Sequence, residues 1–501
     1  MSVRRAFLFS VSERYVVMGA NFLMVAIVAR VLTPEEFGFA VVGAAILAVV
    51  ESFRDFGALS FIVQRKELEA QEARTAATIM LATTLLIAAI VWVAAAPLAD
   101  FYERDGLRPY LQVIALTLLA GPLTGPLIAL LQRDMHFGSI AIINVATALT
   151  TAAGTLAMAL LGASYMSFAW GGAAGAAVGA VLAMALRRDF WIFRPSLRDW
   201  RTTLSFGSYW TATGLLNKIY DYVPSLVLGR SLGFEAMGLY SRAAMVSQLP
   251  DKCLLAGLLP IALPAMAAEA REGRSLKTAY LLSLTYITVM QWPALLLLAF
   301  LAHPVVLILL GDQWLGIVPL VQIMSLALLP SFLTMLAYPL LVAAGGVRDA
   351  FLATLVAVPL CTLVAGAAAL YGLEAAALSM FATAPIQTII WLHVIRRRVP
   401  CQWREIAGAL AGSIVVCASS AVVPAVVLAL NGFSFELSIP AAIVSAIGAV
   451  AGWALALVRT RHPFRSEIDH MGKSARSRLA AARAAGMALL SRRRLRARGV
   501  G

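Results

Sequence analysis

Long apolar runs separated by short polar breaks dominate the chain from residue 11 to residue 458. Each lasts roughly 20 residues or more, the length a helix needs to cross a hydrocarbon core of about 30 Å. Fourteen can be delimited, at 11–31, 37–62, 76–96, 109–131, 138–161, 165–186, 204–229, 236–264, 278–301, 316–343, 349–371, 374–395, 405–430 and 437–458. They lack the period-two alternation of an outer-membrane strand. The pattern therefore predicts an all-α polytopic membrane protein with 14 transmembrane helices. Pro122, Pro126, Pro224, Pro250, Pro330, Pro339 and Pro359 fall inside these runs, where proline kinks a helix or frees a carbonyl.

The chain also repeats itself. Shifted by 200 positions, Arg30, Leu32, Glu35 and Gly38 fall on Arg230, Leu232, Glu235 and Gly238, and Glu69, Glu72, Arg74 and Thr78 fall on Glu269, Glu272, Arg274 and Thr278. The offset then becomes 210, where Gln112, Leu116, Leu119 and Gly162 meet Gln322, Leu326, Leu329 and Gly372. Each copy supplies six spans, so both enter the membrane in the same direction. Parallel repeats of this kind are related by an axis along the membrane normal and enclose a site near the midplane. The expected organisation is a six-helix lobe over 1–190, a cytoplasmic linker over 191–203, a second six-helix lobe over 204–400, two added helices over 401–458 and a basic tail over 459–501.

Composition agrees, with 61% hydrophobic and 13% charged residues among 501, against about a quarter charged in an ordinary globular domain. The basic residues also set an expected orientation. Of 40 Lys and Arg, 32 lie in the N-terminal segment, the even-numbered loops and the tail, and only Arg30, Arg104, Arg108 and Arg230 lie in the opposite loops. By the positive-inside rule both termini are expected in the cytoplasm. The net charge of +14 is mostly a property of the tail and does not imply nucleic acid; it suits anionic inner-leaflet lipid. Apolar positions at Ile468, Met471, Ala475 and Leu479 leave an interfacial tail helix and a solvated tail as open alternatives. Arg4 and Arg5 before an apolar stretch resemble a signal peptide, but Glu13 and Arg14 interrupt it, so the first span is expected to stay.

The remaining bases, Arg54, Lys218, Arg242 and Lys252, lie inside spans 2, 7 and 8, as do Glu51, Asp55, Asp221 and Asp251. A charge at that depth is costly and must face protein or water. One reading is a hydrated cavity in which Arg54, Lys218, Arg242 and Lys252 meet an anionic substrate, Tyr220 and Tyr222 lie beside it, and Glu51, Asp55, Asp221 and Asp251 are counter-ions or ion carriers. A purely structural alternative pairs Lys218 with Asp221, Arg54 with Glu51 and Lys252 with Asp251.

Gly171, Gly175 and Gly179, and Gly408 with Gly412, form small-residue stripes that predict close helix contacts within the chain. The five histidines and four cysteines lack metal-ligand spacing, and there is no Walker loop, nucleophile elbow or dinucleotide fingerprint. No cofactor, metal site or hydrolytic activity is expected.

Three stretches carry a family resemblance: Arg30-Val31-Leu32-Thr33-Pro34-Glu35-Glu36-Phe37-Gly38, Arg54-Asp55-Phe56-Gly57 with Gln64-Arg65, and Gly238-Leu239-Tyr240-Ser241-Arg242-Ala243. With the plan of two six-helix lobes plus two helices, the chain resembles the lipid-linked oligosaccharide flippases, the polysaccharide branch of the multidrug/oligosaccharidyl-lipid/polysaccharide exporter superfamily. The resemblance implies a V-shaped inner-membrane transporter whose cavity is lined by spans 1, 2, 7 and 8. It implies as cargo a polyprenyl-pyrophosphate-linked repeat unit for lipopolysaccharide, exopolysaccharide or capsule, moved by ion-driven alternating access, with a polymerase and glycosyltransferases as partners. Family cavities are generally cationic, whereas four bases and four acids here balance by count. A multidrug antiporter of the same superfamily is the nearest rival, though cationic drugs would not favour four bases. A membrane glycan polymerase would present a longer extracytoplasmic loop, and a non-transporting scaffold would have no use for midplane charge.

Overall fold

The computed structural model describes residues 3–54, 58–65, 67–198, 200–201, 218, 222–223, 225–253, 266, 269, 272–273 and 275–465. Every regular element among them is helical. The first lobe holds α1 (Val3–Val28), α2 (Pro34–Arg54), α3 (Ala58–Gln64), α4 (Ala70–Tyr102), α5 (Leu107–Leu118), α6 (Gly121–Arg133), α7 (Phe137–Leu160) and α8 (Met166–Leu186). The second holds α9 (Gly233–Ser247), α10 (Leu276–Phe300), α11 (Ala302–Leu309), α12 (Val318–Ala327), α13 (Phe332–Met335), α14 (Ala337–Ala343), α15 (Val347–Ala369), α16 (Leu373–Leu378) and α17 (Met380–Arg398). Two long helices follow, α18 (Trp403–Leu430) and α19 (Ile439–Arg459).

Among the described residues, 10 helical stretches are long and apolar enough to cross a membrane, and the chain is a multi-pass membrane protein. These ten coincide with expected spans 3 to 6 and 9 to 14. Spans 1 and 2 are helical as α1 and α2 but carry Glu13, Arg14, Glu35, Glu36 and Glu51. Spans 7 and 8 lie partly outside the described residues.

Expected spans 4 and 10 are not single helices. Span 4 is broken between α5 and α6, whose second residue is Pro122. Span 10 is broken between α12 and α13 at a 3-10 turn over Leu329–Ser331, whose second residue is Pro330. Leu119, at the first break, and Leu329, at the second, are partners at the 210 offset, so the interruption belongs to the repeat. Each proline sits in a first helical turn, where its missing N–H forgoes no hydrogen bond.

Close packing within the first lobe follows from the glycine stripe. A Cβ on Gly171, Gly175 or Gly179 of α8 would lie 2.1, 1.9 or 2.7 Å from the hydroxyl oxygens of Thr155, Thr151 and Thr147 of α7. Both sets recur every four residues, so one ridge enters one groove. The second stripe behaves differently. A Cβ on Gly412 would lie 3.0 Å from His462, while one on Gly408 would meet nothing within 4 Å among the described residues. Contact between α18 and α19 instead uses Gly448 against Val423 and Gly452 against the Ser419 carbonyl. The chain leaving α8 is fastened to α4, with Arg74 donating to the Arg194 carbonyl at 3.0 Å and Gln71 to Ser196 at 3.0 Å.

The lobes meet where α2 crosses α9. A Cβ on Gly38 would lie 1.7 Å from the Phe234 carbonyl oxygen, and one on Gly238 would lie 1.9 Å from the Pro34 carbonyl oxygen. Pro34 and Phe234 are themselves 200 residues apart, so the contact is reciprocal, as at an isologous interface. A pseudo-two-fold axis passes between the two glycines. The start of α2 is fixed by a capping box, in which Glu36 accepts from the Thr33 N–H at 2.7 Å and Thr33 Oγ1 accepts from the Glu36 N–H at 3.3 Å. The motif Thr33-Pro34-Glu35-Glu36 thus holds the helix entry that presents Gly38.

Buried apolar side chains divide along the same lines. Two clusters mix the lobes, one joining Val28, Ala29, Leu32 and Phe37 to Ala243, Val246, Leu310 and Trp314, the other joining Phe39, Val42 and Leu107 to Leu228, Phe234 and Met237. Two others do not join the lobes: one runs from Ala58 to Ile192, and one links Met266, Tyr280 and Leu340 of the second lobe to Cys401 and Ile406 at the start of α18.

Candidate functional site

The crossing of α2 and α9 has a latched outer rim and a basic inner side. On the rim, Arg230 of the second lobe pairs with Glu103 of the first at 3.0 Å and lies over Phe101 at 5.3 Å. Its repeat counterpart, Arg30, donates to the Ile308 carbonyl at 2.7 Å, and Trp314 donates to the Ala29 carbonyl at 2.7 Å. Arg104 pairs with Glu35 at 3.0 Å and lies over Phe234 at 6.0 Å. Exposed pairs of this kind contribute about 1 kcal/mol or less each. The two ion pairs are therefore weak, separable contacts around a tight glycine crossing, whereas the Trp314 bond is buried.

One turn beyond Gly238, on the inner side, Arg242 lies over the ring of Phe37 at 4.8 Å. Phe37 is 1% exposed and wedged edge-on between Phe168 and Trp314. Other contacts of Arg242 are long ones, to Ser241 Oγ at 3.5 Å and Met245 Sδ at 3.6 Å. Among the described residues, no carboxylate pairs with it. The guanidinium keeps its fork of donors while its face is held by an aromatic ring.

Lys252 is exposed. Asp251, its neighbour in sequence, turns away. It is 8% exposed and accepts from Gln291 Nε2 of α10 at 2.8 Å. The same amide donates to Ser331 at 2.8 Å, and Gln291 Oε1 is buried with no hydrogen-bond partner. Consecutive helical residues point about 100° apart, and the Lys252–Asp251 pair of the structural alternative is not formed. The acid is drawn into the second lobe and the base is left outside it.

Glu51 lines a cavity of about 320 Å³ inside the first lobe, with Thr117, Thr124, Asn144 and Thr147 around it. On the other side of Asn144, its amide donates to Glu13 of α1 at 2.6 Å. Lys218 is exposed, with its ammonium 5.6 Å from the centre of the Tyr222 ring. Arg54 ends α2. Asp55, Tyr220 and Asp221 lie outside the described residues.

Three participants were not singled out from sequence. Glu13 was visible only as an interruption of the first apolar run, and Gln291 and Ser331 only as polar residues within spans 9 and 10. Phe37 was visible as part of a motif, and its contact with Arg242 crosses the lobes.

A family model described as polysaccharide biosynthesis protein matches residues 27–319. Lipopolysaccharide biosynthesis protein WzxC of Escherichia coli (strain K12) is 25% identical over 313 residues, 62% of this chain and 63% of that protein. Succinoglycan biosynthesis transport protein ExoT of Rhizobium meliloti (strain 1021) is 26% identical over 323 residues, 64% of each. Teichuronic acid biosynthesis protein TuaB of Bacillus subtilis (strain 168) is 22% identical over 275 residues, 54% of this chain and 57% of that protein. The chain thus spans less than two thirds of the length of the curated relatives it matches. Among solved structures, lipid II flippase MurJ in an inward closed conformation superposes with a TM-score of 0.73 at 12% identity, covering 91% of this chain and 99% of that one. An inward-facing multidrug resistance MATE family transporter of the MOP superfamily gives 0.56 at 14% identity, over 80% and 95%. At such identities the likeness fixes the fold, which is shared by the two.

Proposed function

Because the chain belongs to the polysaccharide biosynthesis protein family whose model matches its residues 27–319, we propose that it is a flippase for a lipid-linked oligosaccharide and not an enzyme. The cargo is a polyprenyl pyrophosphate bearing a surface-polysaccharide repeat unit, carried from the cytoplasmic to the outer leaflet of a bacterial inner membrane. The observation that carries this reading is Arg242, an intramembrane cation with no carboxylate partner among the described residues, at the seam between the lobes. A base at that depth is retained against a cost of at least a few kcal/mol, and a bulky anion such as a sugar pyrophosphate offsets it. Relatives named for lipopolysaccharide, teichuronic acid and succinoglycan support a glycan.

In this reading the two acids that the structure describes stand apart from the bases. Asp251 is withdrawn into the second lobe and Glu51 lines a cavity within the first, so Arg242, Lys252 and Lys218 present a basic surface. Arg54 extends that surface in this reading, with Tyr220 and Tyr222 beside the sugar. With both termini cytoplasmic, the Gly38–Gly238 crossing is a periplasmic gate in its closed position, and cargo loads from the cytoplasm. Opening requires the lobes to rock apart there. Asp251 couples that movement to an ion gradient, with Glu51, Asp55 and Asp221 as further carriers. The linker at 191–203 joins the lobes on the cytoplasmic side, the basic tail rests on anionic lipid, and a polymerase and glycosyltransferases act after and before the transporter.

Deleting the gene should deplete surface polysaccharide and accumulate its lipid-linked unit on the inner leaflet, and the wild-type chain should reverse both. Surface polysaccharide that persists without accumulation excludes the function. In the same strain, Asp251→Asn keeps the hydrogen bond to Gln291 but cannot release a proton. Export by this variant should be slower and insensitive to an uncoupler that halts the wild type; equal sensitivity would remove Asp251 from coupling.

A further inference from the structure

At the end of α17, three consecutive arginines have three different surroundings. Arg398 pairs with Asp349 at 2.6 Å, and Arg396 lies over the indole of Trp403 at 5.3 Å. Arg397 is exposed, and among the described residues no hydrogen bond or ion pair engages it. Arg396 and Arg397 line a cavity of about 530 Å³ with Lys277, His393 and Gln402, between the ends of α10, α17 and α18. Lys277 is engaged by Glu405 at 2.5 Å, so two guanidinium charges are in excess. The cavity lies at the foot of an apolar stripe on α17, formed by Phe381, Pro385 and Ile389 at four-residue spacing. Ile389, His393, Arg396 and Arg397 share one face of α17 at helical spacing, and Ile389 is 64% exposed. A ligand with a phosphate in the cavity would run its apolar part up that face into the bilayer, and Trp403 marks the polar–apolar boundary as interfacial aromatics do.

We propose that this cavity binds the phosphate of an anionic phospholipid from the adjoining leaflet. Arginine suits the task because its planar fork meets phosphate oxygens in pairs. Basic pockets between membrane helices are a general means of holding such headgroups. The site lies apart from the seam between the lobes and does not depend on which glycan is carried.

Full-length protein in mild detergent, offered phosphatidylglycerol and phosphatidylcholine together, can be read by native mass spectrometry. Wild type should retain phosphatidylglycerol preferentially. Retention should fall about fivefold for each charge removed in Arg397→Gln and Arg396→Gln/Arg397→Gln, the fold-change that corresponds to roughly 1 kcal/mol per basic residue near an anionic surface. Arg188→Gln, an exposed arginine outside the cavity, should retain it fully. Inorganic phosphate should not displace the lipid. Undiminished retention by the double variant, or displacement by inorganic phosphate, would overturn the assignment. The single variant removes only an exposed side chain with no partner among the described residues, so misfolding of the double variant would not obscure the result.

Discussion

Arg242→Ala should lower export of the lipid-linked glycan by roughly 10- to 100-fold, the loss expected when a charge-assisted contact worth about 1.5–3 kcal/mol is removed. Insertion and protein level should be unaffected. No buried carboxylate is orphaned by the change, since none pairs with Arg242 among the described residues, and removing an intramembrane charge favours insertion. What the fold loses is the contact with Phe37, a ring still held by Phe168 and Trp314. Arg242→Lys keeps the charge without the planar fork and should be intermediate. Normal export by the alanine variant at normal protein level would return Arg242 to a packing role.

Gly238→Leu should act by a different route, preventing the gate from closing rather than weakening cargo binding. A side chain there begins 1.9 Å from a backbone carbonyl, which cannot rotate aside, so the lobes must part to admit it. Overpacking of this kind costs about 1–3 kcal/mol and would move the balance toward the open state by roughly 5- to 150-fold. Leu32 reports the change because it is 3% exposed in the closed arrangement. A cysteine at position 32 should resist a membrane-impermeant thiol reagent in the parent protein and react at least about fivefold faster beside Gly238→Leu, on the scale set by that shift. Export should collapse in the same variant. Gly38→Leu, the repeat-related change, should reproduce both effects, and unchanged labelling in either would mean that the crossing does not gate access.

Much of this was legible in the sequence because a membrane restricts what a chain can do. Apolar length marked the ten stretches that the structure shows as candidate membrane helices, and the offset of 200 already paired Gly38 with Gly238. That these glycines touch across the axis was not legible, because a repeat gives equivalence and not contact. The breaks at Pro122 and Pro330 were readable as kinks, yet proline alone does not say whether a helix bends or restarts. Equal numbers of acids and bases suggested a neutral cavity. That Asp251 turns into the second lobe was not legible, because it depends on Gln291 and Ser331, which lie 40 and 80 residues away in sequence. Glu13 was overlooked for a similar reason, since its partner Asn144 belongs to α7.

Separation of the lobes at the Gly38–Gly238 crossing in every cycle is tested most directly by fastening the rim. Glu103 and Arg230 form an exposed pair between the lobes, so Glu103→Cys/Arg230→Cys removes about 1 kcal/mol or less. The pair can be built on Cys253→Ser, which deletes the exposed native thiol. Bridging the two cysteines with a cleavable bis-thiol reagent should stop export, and reducing the bridge should restore it to the rate of the unlinked protein. Export that continues undiminished while the bridge is intact would contradict alternating access through this gate.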